Sequence, residues 1–167
     1  MYWCILHTKK KSYHELIDFF NAQKDVHAFV PMIEKCFSGA SIKEYQNIAM
    51  YPDDLLMRTS MDQKEFFMKF KNVFDSMDRR VELLESEDFI TLTMQEQELL
   101  EKMFDGCEVI KHSTGRIIDS ILMIEQGSLV GMENSIQKIN RHKRFAYLDC
   151  GMFGKTMKVP LEVISKT

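Results

Sequence analysis

Ile124-Glu125-Gln126-Gly127-Ser128-Leu129-Val130-Gly131 decides how the second half of this chain is read. A short apolar run ends at Ile124, one glycine follows Glu125-Gln126, and a second glycine comes four residues later. Such spacing predicts a strand, a tight turn and a return, because glycine supplies the positive φ that a reversal requires. The pattern continues outward. Residues 115–165 hold no helical period, and glycines at 115, 127, 131, 151 and 154 separate short β-branched runs. Some four to five strands, with turns about every ten residues, predict a small β-barrel over 116–167.

Upstream the periodicity is different. Tyr2–Thr8 alternates as a half-buried strand does. Ser12-Tyr13-His14-Glu15 has the form of a capping box, and Leu16, Ile17 and Phe20 follow at helical spacing. Val26–Phe37 reads as extended, with Pro31 marking an edge or a bend. Ser38-Gly39-Ala40-Ser41 then makes a turn before a second arm from about Tyr45 to Met57. A helix starts near Asp62 with an apolar stripe of Phe66, Phe67, Phe70, Val73, Phe74 and Met77, a spacing that belongs to a packed core. Val81–Leu84 reads as a further strand. Thr93-Met94-Gln95-Glu96 is a second capping box, and Gly106 sits where a helix C-cap belongs. The order β-α-β-β-α-β-α predicts an α+β sandwich: an antiparallel sheet with helices on one face. The domains expected are residues 1–106, a short linker at 107–115, and 116–167.

Hydrophobic residues make up 45% of the 167 and charged ones 28%, which suits one ordinary folded domain or two small ones. No apolar run approaches the roughly 18 residues of a membrane helix, and the first residues lack the basic start of a signal peptide. Cytoplasmic residence without membrane association is therefore expected, as a monomer. Cys4, Cys36, Cys107 and Cys150 lie far apart, and no histidine pair has ligand spacing, so neither a disulfide framework nor a metal site is expected. His14 and His112 read as solvated. No nucleophile-elbow, phosphate-loop or dinucleotide fingerprint occurs, so no cofactor and no enzymatic activity are expected. Charge is uneven. Residues 1–110 carry 13 Lys and Arg against 20 Asp and Glu, a net of −7; residues 111–167 carry 9 against 5, a net of +4. A polyanion would be held by the C-terminal module.

The second half resembles a KOW module: the Gly127–Gly131 segment is followed by Ile136, by Met152-Phe153-Gly154-Lys155 and by Val159. The first half resembles the NGN domain that precedes KOW in the NusG family. Trp3-Cys4 stands where the family opens with Trp-Tyr, and Tyr51-Pro52 where it has Phe-Pro-Gly-Tyr. The likeness spans nearly the whole chain. Lys138-Ile139-Asn140-Arg141-His142-Lys143-Arg144 is similar to a stretch of the LoaP-type paralogues, antiterminators dedicated to particular operons. The resemblance implies an NGN-like sheet followed by a KOW β-barrel. It further implies docking on the clamp helices of RNA polymerase, suppression of pausing, and contact of the KOW domain with nascent RNA. One departure stands out: the family's Gly-Tyr after Phe-Pro is Asp53-Asp54 here, acids where an aromatic would meet the clamp.

Three groups of residues follow as candidates. An exposed cluster of Trp3, Tyr51 and Pro52 is the expected polymerase anchor. Lys9, Lys10 and Lys11 form a solvated loop that the resemblance turns toward nucleic acid, including non-template DNA in the transcription bubble; lysines without an adjacent aromatic suit phosphate contact. Lys138, Arg141, His142, Lys143, Arg144 and Tyr147 are the expected RNA site, with Phe145 on the same strand face as Tyr147: two aromatics beside the cations suit unpaired bases of a hairpin. Two other readings share these features: a housekeeping NusG that cooperates with termination factor Rho, and a KOW-containing structural RNA-binding protein.

Overall fold

The computed structural model describes residues 1–8, 13–38, 42–76, 89–148 and 156–167. Lys9, Lys10, Lys11, Ser12 of the first expected capping box, residues 39–41 of the expected Ser38–Ser41 turn, the expected Val81–Leu84 strand and Met152-Phe153-Gly154-Lys155 lie outside the described residues. By Cα proximity the chain falls into two compact units. The first comprises Met1–Pro31 and Tyr51–Gln97, and the second Met32–Met50 and Glu98–Thr167.

The first unit is built on a four-stranded antiparallel sheet in the order β2-β5-β1-β6. Its strands are β1 (Tyr2–His7), β2 (Val26–Phe29), β5 (Asp54–Thr59) and β6 (Phe89–Thr91). Alternation turns Cys4, Leu6, Val26, Ala28, Leu55 and Met57 to one face, where they pack with Leu16 and Phe20 of α1 (Tyr13–Asn21) and with Phe66 and Phe70 of α2 (Gln63–Ser76). Phe66 also stacks on Phe89 at 4.5 Å between centroids. Each such buried ring contributes roughly 1.5–3 kcal/mol of transfer free energy. The α2 start is a reciprocal cap: Glu65 N–H donates to Asp62 Oδ1 (2.9 Å) and Asp62 N–H to Glu65 Oε2 (3.1 Å). The second capping box forms too, with Thr93 N–H donating to Glu96 Oε2 at 2.7 Å ahead of α3 (Met94–Phe104).

Pro31 and Tyr51-Pro52 divide what the sequence presents as two long extended arms. After Pro31 the chain leaves β2 and becomes β3 (Met32–Ser38) of a different sheet, and β4 (Lys43–Ala49) returns beside it. β7 (Val109–Ile110) adds in parallel to β3, giving the order β4-β3-β7.

The second unit also holds a five-stranded sheet in the order β10-β11-β12-β8-β9. The strands are β8 (Ser113–Ile118), β9 (Ile121–Gln126), β10 (Ile136–Asn140), β11 (Phe145–Leu148) and β12 (Met157–Lys166). Here the expected β-barrel is corrected. β9 and β10 are the two edges of an open sheet, and no sheet among the described residues closes on itself. Short β-branched runs between glycines specify strands and turns; closure depends on strand tilt and shear, which the local pattern does not encode. The glycines act as expected of turn positions, with φ +95° at Gly127 and +72° at Gly131. Ala146, Leu148, Met157, Val159 and Leu161 are fully buried beneath this sheet.

Candidate nucleic-acid interface

β10 and β11 are joined by a four-residue turn, Arg141-His142-Lys143-Arg144. Asn140 closes it from within by accepting the Lys143 N–H on Oδ1 (2.9 Å), and Arg144 ends it in a left-handed conformation, φ +55°. Asparagine side chains stabilise turns in this way. Arg141, His142 and Lys143 are exposed.

Arg144 is different. Its Nη1 lies 3.7 Å from Cys36 Sγ and its Nε 3.7 Å from Glu162 Oε1. Glu162 gathers further cations: Lys43 Nζ donates to both carboxylate oxygens at 3.0 and 2.9 Å. Burial pushes the Glu162 carboxyl up, but the Lys43 hydrogen bond and charge, with Arg144 and His112, outweigh it and hold the pKa below its ordinary value. His112, expected to be solvated, is buried. Its Nε2 stands 3.7 Å from Glu162 Oε2, too long for a hydrogen bond. Burial lowers its pKa against the pull of the Glu162 and Glu34 carboxylates.

The sheet next to this turn sorts its side chains by row. Ile139, Ala146 and Val159 are paired across β10, β11 and β12, and Ala146 and Val159 are fully buried. The next row is Lys138, Tyr147 and Lys158. Both lysines are exposed and Tyr147 is half-buried, with Lys158 Nζ 6.0 Å from the ring centroid. Phe145 lies two residues from Tyr147 on the same face, and Lys35 Nζ of β3 stands 5.8 Å from its ring and 4.8 Å from that of Phe37. Phe37 is itself 38% exposed. The sequence compares with no known family model and with no curated protein.

Lys138 and Tyr147 of this surface are legible in the sequence, whereas Lys158, Lys35 and Phe37 are not. The alternation Met157-Lys158-Val159 does turn Lys158 outward, but only strand register sets it beside Tyr147. No local signal connects β3 to that face.

The expected polymerase anchor divides. Trp3 is buried, 3% exposed, not part of an exposed cluster: it sits in a sheet interior with its ring edge on Phe29 at 6.1 Å. An aromatic opening a hydrophobic strand is as well suited to a core as to a surface. Tyr51 is half-buried and Pro52 exposed, in the turn between β4 and β5. Asp53 is exposed, whereas Asp54 is buried and paired with His7 Nδ1. Of the two acids Asp53 and Asp54, one therefore serves as an internal partner. Among the described residues no group of His, Cys, Asp or Glu gathers as a set of metal ligands.

Proposed function

We propose that this chain is a transcription elongation and antitermination factor of the NusG type, similar in kind to the operon-dedicated LoaP paralogues. In this reading it binds RNA polymerase through its N-terminal unit, with Tyr51 and Pro52 in the contact, and nascent RNA through its C-terminal sheet. The observation that carries RNA binding is the row Lys138, Tyr147 and Lys158 across three neighbouring strands, with Phe145 on the same face and Arg141, His142 and Lys143 at its end. A ring flanked by two ammonium groups can stack on an unpaired base while the lysines meet the adjoining phosphates. The exposed arginine of the turn adds a planar fork for phosphate or a guanine edge. The basic net charge of residues 111–167 favours the same polyanion.

The test is fluorescence anisotropy of the full chain with a labelled RNA hairpin carrying an unpaired loop, alongside recovery of core RNA polymerase on the immobilised chain. Tyr147→Ala should weaken the RNA complex about 5- to 100-fold, the scale of one lost base stack, and leave polymerase recovery unchanged. Affinity should fall steeply with added salt as counterions are released. RNA binding that ignores both Tyr147→Ala and Lys158→Ala would refute the interface, and failure to recover polymerase would refute the docking.

A further inference from the structure

A second cationic site lies in the first unit, on the sheet face opposite α1 and α2. Arg58 of β5 is paired in register with His27 on one side and Trp3 on the other. Its guanidinium carbon stands 5.0 Å from the Trp3 ring centroid and 5.3 Å from that of Phe29. The two rings meet edge to face, at 83°. They give Arg58 a π-lined wall that holds the planar group without using up its N–H donors. Among the described residues no carboxylate pairs with Arg58, and its buried Nε–H has no hydrogen-bond acceptor. A guanidinium is always charged, and leaving such a donor buried and unpaired is costly.

Arg58 lines a cavity of about 340 Å³ together with Lys24, Asp25, Val26, His27 and Ser60. Asp25 is the single acid of that lining, and its carboxylate is already held by Lys69 at 3.2 Å. Lys24 and His27 are exposed at the rim. An arginine fork, an ammonium, an imidazole and a hydroxyl offer more donors than the two oxygens of a carboxylate can use. They suit the three terminal oxygens of a phosphate monoester, for which Arg is the preferred bidentate partner.

We infer that this cavity is a phosphate-binding site, with Arg58 as its principal ligand and Lys24 as the second charge. It is separate from the RNA surface proposed above and shares no residue with it. The phosphate could be that of a free mononucleotide or an internal phosphate of a nucleic-acid strand, and the two are separable by experiment.

Isothermal titration calorimetry on the full chain decides, with inorganic phosphate, AMP, the dinucleotide ApA, adenosine and acetate as probes at one ionic strength. Phosphate and AMP should bind and adenosine should not. Arg58→Met should weaken AMP at least ~10-fold, the scale of a lost bidentate contact. Lys24→Ala, a change at an exposed side chain, should weaken it about 3-fold, on the scale of one screened charge. Tyr147→Ala should leave AMP binding unchanged. ApA binding as well as AMP assigns the ligand to nucleic-acid backbone; AMP binding alone assigns it to a free monoester. Absence of phosphate and AMP binding, AMP binding unaffected by Lys24→Ala and by a folded Arg58→Met chain, or acetate binding as tightly as phosphate would each overturn the inference.

Discussion

Arg141 stands exposed on the β10–β11 turn, while Arg144, three positions on, sets its guanidinium 3.7 Å from both Cys36 Sγ and Glu162 Oε1. The two should therefore respond differently to truncation. Arg141→Ala is expected to lower RNA affinity about 3- to 10-fold, the scale of one charged contact, with an unchanged melting temperature. Arg144→Ala should destabilise the chain by about 1–2 kcal/mol, since it removes a charged partner from a partly buried carboxylate. Anisotropy and thermal melts on both variants separate the roles; loss of RNA binding by Arg144→Ala at an unaltered melting temperature would contradict this division. His112 carries a second residue-scale expectation. Its folded pKa lies below the ordinary 6.5, with burial as the main cause. As pH falls below 6.5 the unfolded chain takes up a proton that the folded chain refuses, so stability drops. Glu162 adds a loss of its own only below about 4.5, because its folded pKa is depressed. His112→Phe should accordingly flatten the melting temperature between pH 7 and 5 and leave the steeper decline under pH 4.5. Parallel pH profiles for the two proteins would disprove it.

Among the elements, the turn after β9 is the most legible in the sequence, for a physical reason. Gly127 adopts φ +95°, and a Cβ there would meet His112 O at 2.3 Å and Ser113 Cα at 2.5 Å. Neither obstacle is a flexible side-chain end; both are backbone. Gly127→Ala should therefore cost more than about 2 kcal/mol, from strain and from displaced strand backbone. Gly131 offers a control, since a Cβ there would meet only Lys102 Nζ, at 3.7 Å, so that Gly131→Ala carries the conformational cost alone. Denaturant unfolding of the pair should show the larger loss at Gly127; equal losses would mean that the close backbone approach is relieved cheaply. Helix starts were equally readable, because Asp62–Glu65 and Thr93–Glu96 are complete within four residues. What escaped reading depends on partners remote in sequence. Trp3 is apolar in either setting, and its burial is decided by neighbours such as Phe29, 26 residues away. Lys158 became a flank of Tyr147 through strand register, and the sheet stayed open because closure is set by geometry that no turn signal carries.

At the scale of the molecule, the C-terminal strands do not make a compact unit by themselves. The unit that contains them also takes in Met32–Met50, the β3–β4 hairpin. Met32 N–H donates to Glu108 O at 3.2 Å, and Ile33 pairs with Ile110 in the parallel β3–β7 ladder. Glu34 accepts from His112 N–H at 3.1 Å and from Lys111 Nζ at 3.3 Å. Lys43 supplies the closest cation to Glu162, and Lys35 reaches the ring of Phe145. Cutting at residue 107 removes all of these at once. The Glu162 carboxylate would lose its hydrogen-bonded partner, the His112 amide its acceptor, and buried Ile110 its strand neighbour. A fragment of residues 107–167 should keep a β-rich circular dichroism spectrum, since all its described regular strands, β7 to β12, lie within those residues. Its stability should nevertheless fall by several kcal/mol, given about 1–3 kcal/mol for each buried polar group left unpaired. On a segment of this size that corresponds to a melting temperature lowered by more than about 10 °C. A synthetic peptide of residues 32–50, added in excess, should recover part of the loss by binding the folded fragment. A fragment that melts with the full chain, or one whose melting the peptide does not alter, would show that the hairpin contributes little and that the C-terminal sheet is self-sufficient.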